Sequence, residues 1–104
     1  MSVTFINCFE VPAGSDADFL ARWEEVNRYM RDKEGYLDHD LHRAVGPDAH
    51  FRFVNIAHWT SAAACRAAHD EGFRSLVAAP AWRRYPSTPA LFDTVRSGAR
   101  TAAS

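Results

Sequence analysis

The sequence predicts an α+β domain of element order β-α-β-β-α-β, and three observations carry that expectation. Residues 3–11 and 51–59 alternate side chains with a period of two and are rich in aromatic and β-branched residues, the mark of strands. After the first of these, apolar residues recur at helical spacing as far as Met30, and a second helical stretch follows Trp59. Gly46-Pro47-Asp48 supplies turn chemistry between two neighbouring strands, which therefore form a hairpin.

The elements follow in order. In the first strand Val3, Phe5, Asn7, Phe9 and Val11 share one face, and Thr4, Ile6, Cys8 and Glu10 share the other. Pro12-Ala13-Gly14 breaks it. Ser15 is expected as a helix N-cap, with Asp18 in the capping-box position. Phe19, Leu20, Trp23, Val26 and Met30 fall on one helical face, and Gly35 is expected to end the helix at C′. The second strand, residues 36–45, sets Leu37, His39, Leu41 and Arg43 against Tyr36, Asp38, Asp40 and His42. The third covers residues 51–59. Ser61 caps a short alanine-rich helix over 62–70, a break is expected at Gly72, and a further helical piece spans 73–79. Pro80, Pro86 and Pro89 punctuate the return to a last strand over 91–96. Residues 1–97 then make one domain, with 98–104 as a frayed tail.

That order is the split βαβ unit of ferredoxin-like folds. Helices cover one face of such a sheet. The opposite face here still carries Ile6, Val54 and Ile56, too apolar to lie in water, so pairing with a second copy is expected. The result is a homodimer of the kind called a dimeric α/β-barrel.

Composition bounds the function. A chain of 104 residues with 47% apolar content has room for one domain and a small, marginally stabilising core. Twelve basic against thirteen acidic residues, a formal charge of −1, remove the electrostatic reason to expect nucleic acid or an anionic membrane as partner. No apolar run is long enough to cross a bilayer, and residues 1–14 lack the basic and apolar regions of a signal peptide. Cys8 and Cys65 are too few for a disulfide framework and match no metal spacing, so reduced thiols in a cytoplasm are expected. No GxSxG, P-loop or GxGxxG follows a strand, and the chemistries those motifs support lack their local signatures.

The informative stretch is FRFVNIAHW, residues 51–59. Asn55 shares a face with Phe51, Phe53, Ala57 and Trp59, and a buried amide without a partner costs about 1–3 kcal/mol. Two readings are open: Asn55 bonds backbone at a bulge beside a core tryptophan, or it lines a site. Asn7 points into an aromatic face in the same way, which favours a polar lining. The alanines at 62, 63, 64, 67 and 68 face Phe5, Phe9, Phe53 and Trp59, leaving either close packing or a flat pocket for a planar ligand. Of the histidines, His50 and His58 read as solvated. His42 shares a face with Asp38, Asp40 and Tyr36, neighbours that make it a usable base near neutral pH. His69 lies near a helix end, where the dipole favours its charged form. Neither has a partner at metal-ligand spacing, and no metal site is expected.

The segments FINCFEVPAG, FLARWEEVNRYM, GYLDHDLHRA, FRFVNIAHWTS and PALFDTV, across residues 3–96, resemble the antibiotic biosynthesis monooxygenase family in order and spacing. One branch of that family makes quinones from anthrone-type polyketides with molecular oxygen and without metal or flavin. Its Asn-x-x-x-Trp element is similar to Asn55 through Trp59, and its strand-two histidine to His42. The resemblance implies a cofactor-free monooxygenase with oxygen as co-substrate, acting on a small aromatic. His42 would deprotonate a phenol, while the Asn55 amide and the Trp59 indole N–H would hold the oxyanion and the peroxide. Asn7, Phe5, Phe9, Phe53, Cys65 and His69 are the expected substrate-binding residues. Cys65 stands where that branch carries a tyrosine, and its distal arginine has no secure match. A second branch degrades haem; Asn7 fits its strand-one asparagine, but its helical tryptophan falls at Ala68 or His69 and its histidine near Val77. A polyketide cyclase and a non-catalytic ligand-binding dimer are the remaining alternatives.

Overall fold

The computed structural model describes residues 2–101. Strand β1 (Val3–Phe9) leads to helix α1 (Asp16–Met30), then to β2 (Tyr36–Arg43) and β3 (Phe53–Trp59). Helices α2 (Ala62–Ala68) and α3 (Glu71–Val77), a short 3-10 helix (Pro80–Arg84) and β4 (Ser87–Phe92) complete the chain. The sheet is antiparallel throughout, in the order β2-β3-β1-β4. This is the ferredoxin-like fold. The described part of the expected tail, 98–101, has no regular secondary structure, and 102–104 lie outside the described residues.

The period-two pattern fixes the register. On β3, Phe53, Asn55, Ala57 and Trp59 are buried while Val54, Ile56 and His58 are only partly so. Pairing with β1 sets Asn7 opposite Asn55, Phe5 opposite Ala57 and Phe9 opposite Phe53, so both amides lie side by side under the helices. On the bare face Ile6 lies opposite Ile56, and Val54 lies between Cys8 and His42. Strand β4 starts four residues earlier than the prolines suggest. It is an edge strand, where Pro89 needs no N–H for the ladder.

Helix α1 buries Phe19, Trp23, Asn27 and Met30, whereas Leu20 remains 37% exposed. Its start departs from the expected capping box. Ser15 makes no cap hydrogen bond; its Oγ accepts from Arg84 Nη2, and Asp18 accepts from Arg22 and from the Tyr85 hydroxyl instead. Charged and phenolic partners outcompete the weaker local bond. The helix ends at Met30, before Gly35. That glycine is required for another reason: its φ is +90°, and a Cβ would lie 2.5 Å from Ala64 Cβ.

The cap at Ser61 forms, its Oγ accepting from Ala64 N at 3.0 Å. The break between the last helices comes at Asp70 and not at Gly72. The Asp70 carboxylate caps α3 at Phe73 N and also accepts from Tyr29 and Lys33 of α1 and its following turn. Lys33 above all, then the Phe73 N–H and Tyr29, holds that carboxyl well below the usual carboxylate range. Gly72 sits inside α3 because a Cβ there would meet the Tyr29 hydroxyl.

Strand β2 contains the departure with most consequence. A β-bulge between Tyr36 and Asp38 breaks the alternation, so Tyr36 pairs with Trp59 and Asp38 with the adjacent His58. Leu37 is the extra residue and is 52% exposed. Tyr36 therefore lies on the same side as His39, not on the side of Asp38, Asp40 and His42.

Candidate active site

A cavity of about 880 Å³ lies between the inner sheet face, α1, the α2–α3 pair and the 3-10 segment. Its walls are mostly aromatic and aliphatic, as a planar ligand requires. Row Asn55-Ala57-Trp59 of β3 forms one wall, with Phe5, Asn7 and Phe9 of β1 beside it. Because Ala57 is small, the space between the amide and the indole stays open. Four residues of strand separate Asn55 from Trp59, about 13 Å between their Cα atoms, so the two groups address opposite ends of a ring system.

Four buried polar atoms on these walls have no protein partner: Asn7 Oδ1, Asn27 Oδ1, Asn55 Oδ1 and Trp59 Nε1. A native interior seldom leaves such groups unpaired, and their concentration on a single cavity marks where a polar ligand edge belongs. Trp59 is 1% exposed and meets Tyr36 edge to face at 5.0 Å. The bulge reading for Asn55 is not what the structure shows, since β3 runs regularly past it against β1.

The remaining expected residues divide. Cys65 and His69 of the α2 segment line the cavity. His69 Nδ1 lies 2.7 Å from the Cys65 carbonyl oxygen, which can only accept, so Nδ1 carries the proton. The His69 ring packs on Phe5 and Phe73. Burial pushes the Cys65 thiol up to about 11, leaving it a neutral, unreactive wall group. Phe53 does not reach the cavity. It is 2% exposed and stacks on Phe19 at 4.7 Å, in the core behind it. His42 is also misplaced by the sequence reading: it is exposed on the opposite sheet face, beside Val54, with the sheet between it and the cavity. Strand alternation, fixed by the burial of His39 and Leu41, puts it there.

Several lining groups escaped the sequence reading. Asn27 sits with Trp23 and Met30 on the buried face of α1, and its Nδ2 donates to Tyr36 Oη at 3.2 Å. An amide within that apolar stripe was the available signal. Arg66 and Arg83 also line the cavity, and among the described residues no aspartate or glutamate does. That charge pattern favours an anion. Nothing in the run PAWRR announces Arg83's placement. Among the described residues, no three His, Cys, Asp or Glu side chains are grouped to hold a metal ion, and no helix is long and apolar enough to cross a membrane.

The family model of antibiotic biosynthesis monooxygenases matches residues 2–85. The chain belongs to this family. Among solved structures of similar fold, a candidate monooxygenase from Shewanella loihica PV-4 is 29% identical with a TM-score of 0.81, over 92% of this chain and 96% of that one. SnoaB, a cofactor-independent oxygenase from Streptomyces nogalater, is 31% identical with a TM-score of 0.75, over 92% and 95%. A variant of MhuD holding two manganese protoporphyrin IX molecules per active site is 24% identical with a TM-score of 0.70, over 94% and 99%, a likeness of fold alone. No curated protein matches the sequence. The monooxygenase family thus has its fold here, with the cavity under the helices.

Proposed function

We propose that this antibiotic biosynthesis monooxygenase oxidises a planar, phenolic, anthrone-like polyketide intermediate to a quinone with molecular oxygen, without metal, flavin or haem. The observation that carries the reading is the set of unpartnered amide oxygens and the Trp59 indole N–H on one aromatic cavity. Likeness to SnoaB supports the cofactor-free chemistry.

The chemistry asks little of the protein beyond what the walls offer. An anthrone bound flat over Ala57 presents its hydroxyls to the amides of Asn7, Asn27 and Asn55. Loss of a proton gives an electron-rich anion that Arg66 and Arg83 stabilise. This anion reduces oxygen directly, and the carbon that loses hydrogen gains a peroxide, held by the Trp59 N–H. Cleavage of the O–O bond leaves one oxygen as the quinone carbonyl and releases the other as water, so one O2 is consumed per quinone. Burial among aromatic walls excludes water from the reactive anion.

The family reading extends to the assembly. Ile6, Val54 and Ile56 on the bare face are covered by the same face of a second copy, giving a homodimer. The free thiols of Cys8 and Cys65 suit the cytoplasm.

Oxygen consumption with an anthrone, using protein stripped of metal and flavin, tests the reaction. Stoichiometric uptake with quinone formation is expected. Ring closure of a linear polyketide without uptake would replace this reading with a cyclase, and a sharp, stoichiometric Soret change on haem titration would replace it with haem degradation.

A further inference from the structure

With His42 on the wrong side of the sheet, the cavity needs another route for the substrate's proton. We propose that Tyr36 and His39 form that route, a two-residue proton relay in which Tyr36 touches the substrate and His39 receives the proton behind it. The inference rests on the reading of the cavity as a site for a phenolic aromatic.

The geometry is specific to the bulge. By displacing Leu37, it brings Tyr36 to the side of His39, and Tyr36 Oη comes to lie 2.5 Å from His39 Nδ1. Tyr36 and Asn27 both line the cavity, and Asn27 Nδ2 donates to the same hydroxyl. With His39 in the Nε2–H tautomer, which the relay requires, the phenol donates to His39 Nδ1, accepts from Asn27 and keeps a face toward substrate. His39 is half-buried on β2, an edge strand, with its ring against Trp23 at 5.2 Å. It stands between the cavity wall and solvent.

Proton and charge balance without any other reagent. The substrate O–H gives its proton to Tyr36 Oη as the Tyr36 proton moves to His39 Nδ1. Substrate becomes phenolate, Tyr36 is a neutral phenol donating to it, and His39 is an imidazolium that later loses a proton to water. Asn27 stabilises negative charge on Oη during the exchange. Burial pushes the Tyr36 phenol above its ordinary value, Asn27 partly offsets this, and Asp38 and Arg31 act from outside in opposite senses. Tyr36 accordingly stays a donor at neutral pH. Of the groups facing the pair from other elements, Trp23 and Asn27 of α1 and Ala57 and Trp59 of β3 carry no charge, and Arg31 at the end of α1 is a cation acting on Tyr36.

The test uses 2,6-dihydroxyanthraquinone, an aromatic of anthrone shape that is already oxidised and whose visible band moves to the red when a phenol ionises. In near-neutral buffer just below the dye's own ionisation, where the free dye is mostly neutral and an imidazole can still accept a proton, wild-type protein is expected to bind it with the red-shifted band. Tyr36→Phe should bind without the shift, and His39→Ala should show a weakened shift that added imidazole restores; His39→Gln serves as a second variant, with far-UV circular dichroism confirming the fold of each. Turnover of an anthrone by Tyr36→Phe should fall about 100-fold, the scale of a lost acid–base group. A red shift that survives in Tyr36→Phe, a neutral bound dye in wild type, or a His39→Ala defect that imidazole leaves unchanged would overturn the relay. Failure of the dye to bind would overturn both relay and substrate class. A Tyr36-dependent red shift with no oxygen uptake from anthrone would leave the relay standing and remove the monooxygenase reading.

Discussion

Asn55 and Trp59 differ in what each can lose. Asn55 is an amide 8% exposed whose oxygen finds no protein partner, and Trp59 combines a 1% exposed ring with an N–H in the same condition. Trp59→Phe keeps an aromatic ring in place and removes the N–H donor with part of the indole's volume; Asn55→Ala removes the amide and a little packing. Each should reduce anthrone turnover, by about 10²–10³ if the group holds transition-state charge, with circular dichroism and thermal melting close to wild type. Melting far below wild type with no separate effect on turnover would make both residues structural. Cys65 gives a contrasting prediction. Its thiol ionises near 9.0 when unfolded and is pushed up to about 11 by burial, so folding favours the protonated form. Stability from this source is complete below pH 9.0 and is lost as pH rises from there through about 11. Thermal melts of Cys65→Ala across that range should therefore fall less steeply with pH than those of wild type.

Among the elements, the turns carry constraints that the strands do not. Gly35→Ala would meet both a φ of +90° and contacts at 2.5 Å to Ala64 Cβ and 2.8 Å to Thr60 Oγ1. It should destabilise the fold by more than about 1 kcal/mol, since backbone strain and overpacking add, and urea denaturation measures it. Gly14→Ala provides the control: φ is +84° there as well, but no atom lies within 4 Å of the new Cβ. What was legible in the sequence follows the same physics. Period-two alternation on β1 and β3 placed Asn7, Asn55 and Trp59 on one face, because in a regular strand position alone decides the side. Tyr36 does not share the face of Asp38, Asp40 and His42 because one inserted residue, Leu37, inverts that parity and leaves no mark in composition; His42 keeps the face that alternation gives it, and only the family resemblance placed it at the cavity. Phe53 was assigned to the cavity because alternation gives its face but not its place along the face, where Phe19 of α1 covers it. Asn27 and Arg83 depend on how α1 and the 3-10 segment dock, which no local pattern encodes.

The whole molecule has two sheet faces with different tasks. Helices close one over the cavity, and the other presents Ile6, Val54 and Ile56 at the centre of a four-stranded sheet. Ile56 lies on β3, an inner strand, opposite Ile6, and its side chain points away from Asn55 and Ala57. Ile56→Glu puts a carboxylate in the middle of the proposed dimer contact and should give monomers by sedimentation velocity, while wild type sediments as a dimer. A wild-type protein that sediments as a monomer would remove the homodimer. The cavity itself is walled by residues of a single chain, so dye binding by the Ile56→Glu monomer would show how far the site works without a partner.

The bulge on β2 also changes how positions should be counted between relatives. Across Leu37, residue number and side-chain facing part company: Tyr36 and His39 are three apart in sequence yet occupy the places of residues two apart in a plain strand. A chain one residue shorter at this point would present a tyrosine and a histidine in the same juxtaposition with regular pairing. A gap-free alignment would instead match this tyrosine to a position on the outer face. Deleting a residue from a strand normally turns half its side chains the wrong way. Here, removal of Leu37 would restore the ladder and keep the pair together, so a length difference at this site is compatible with an unchanged function.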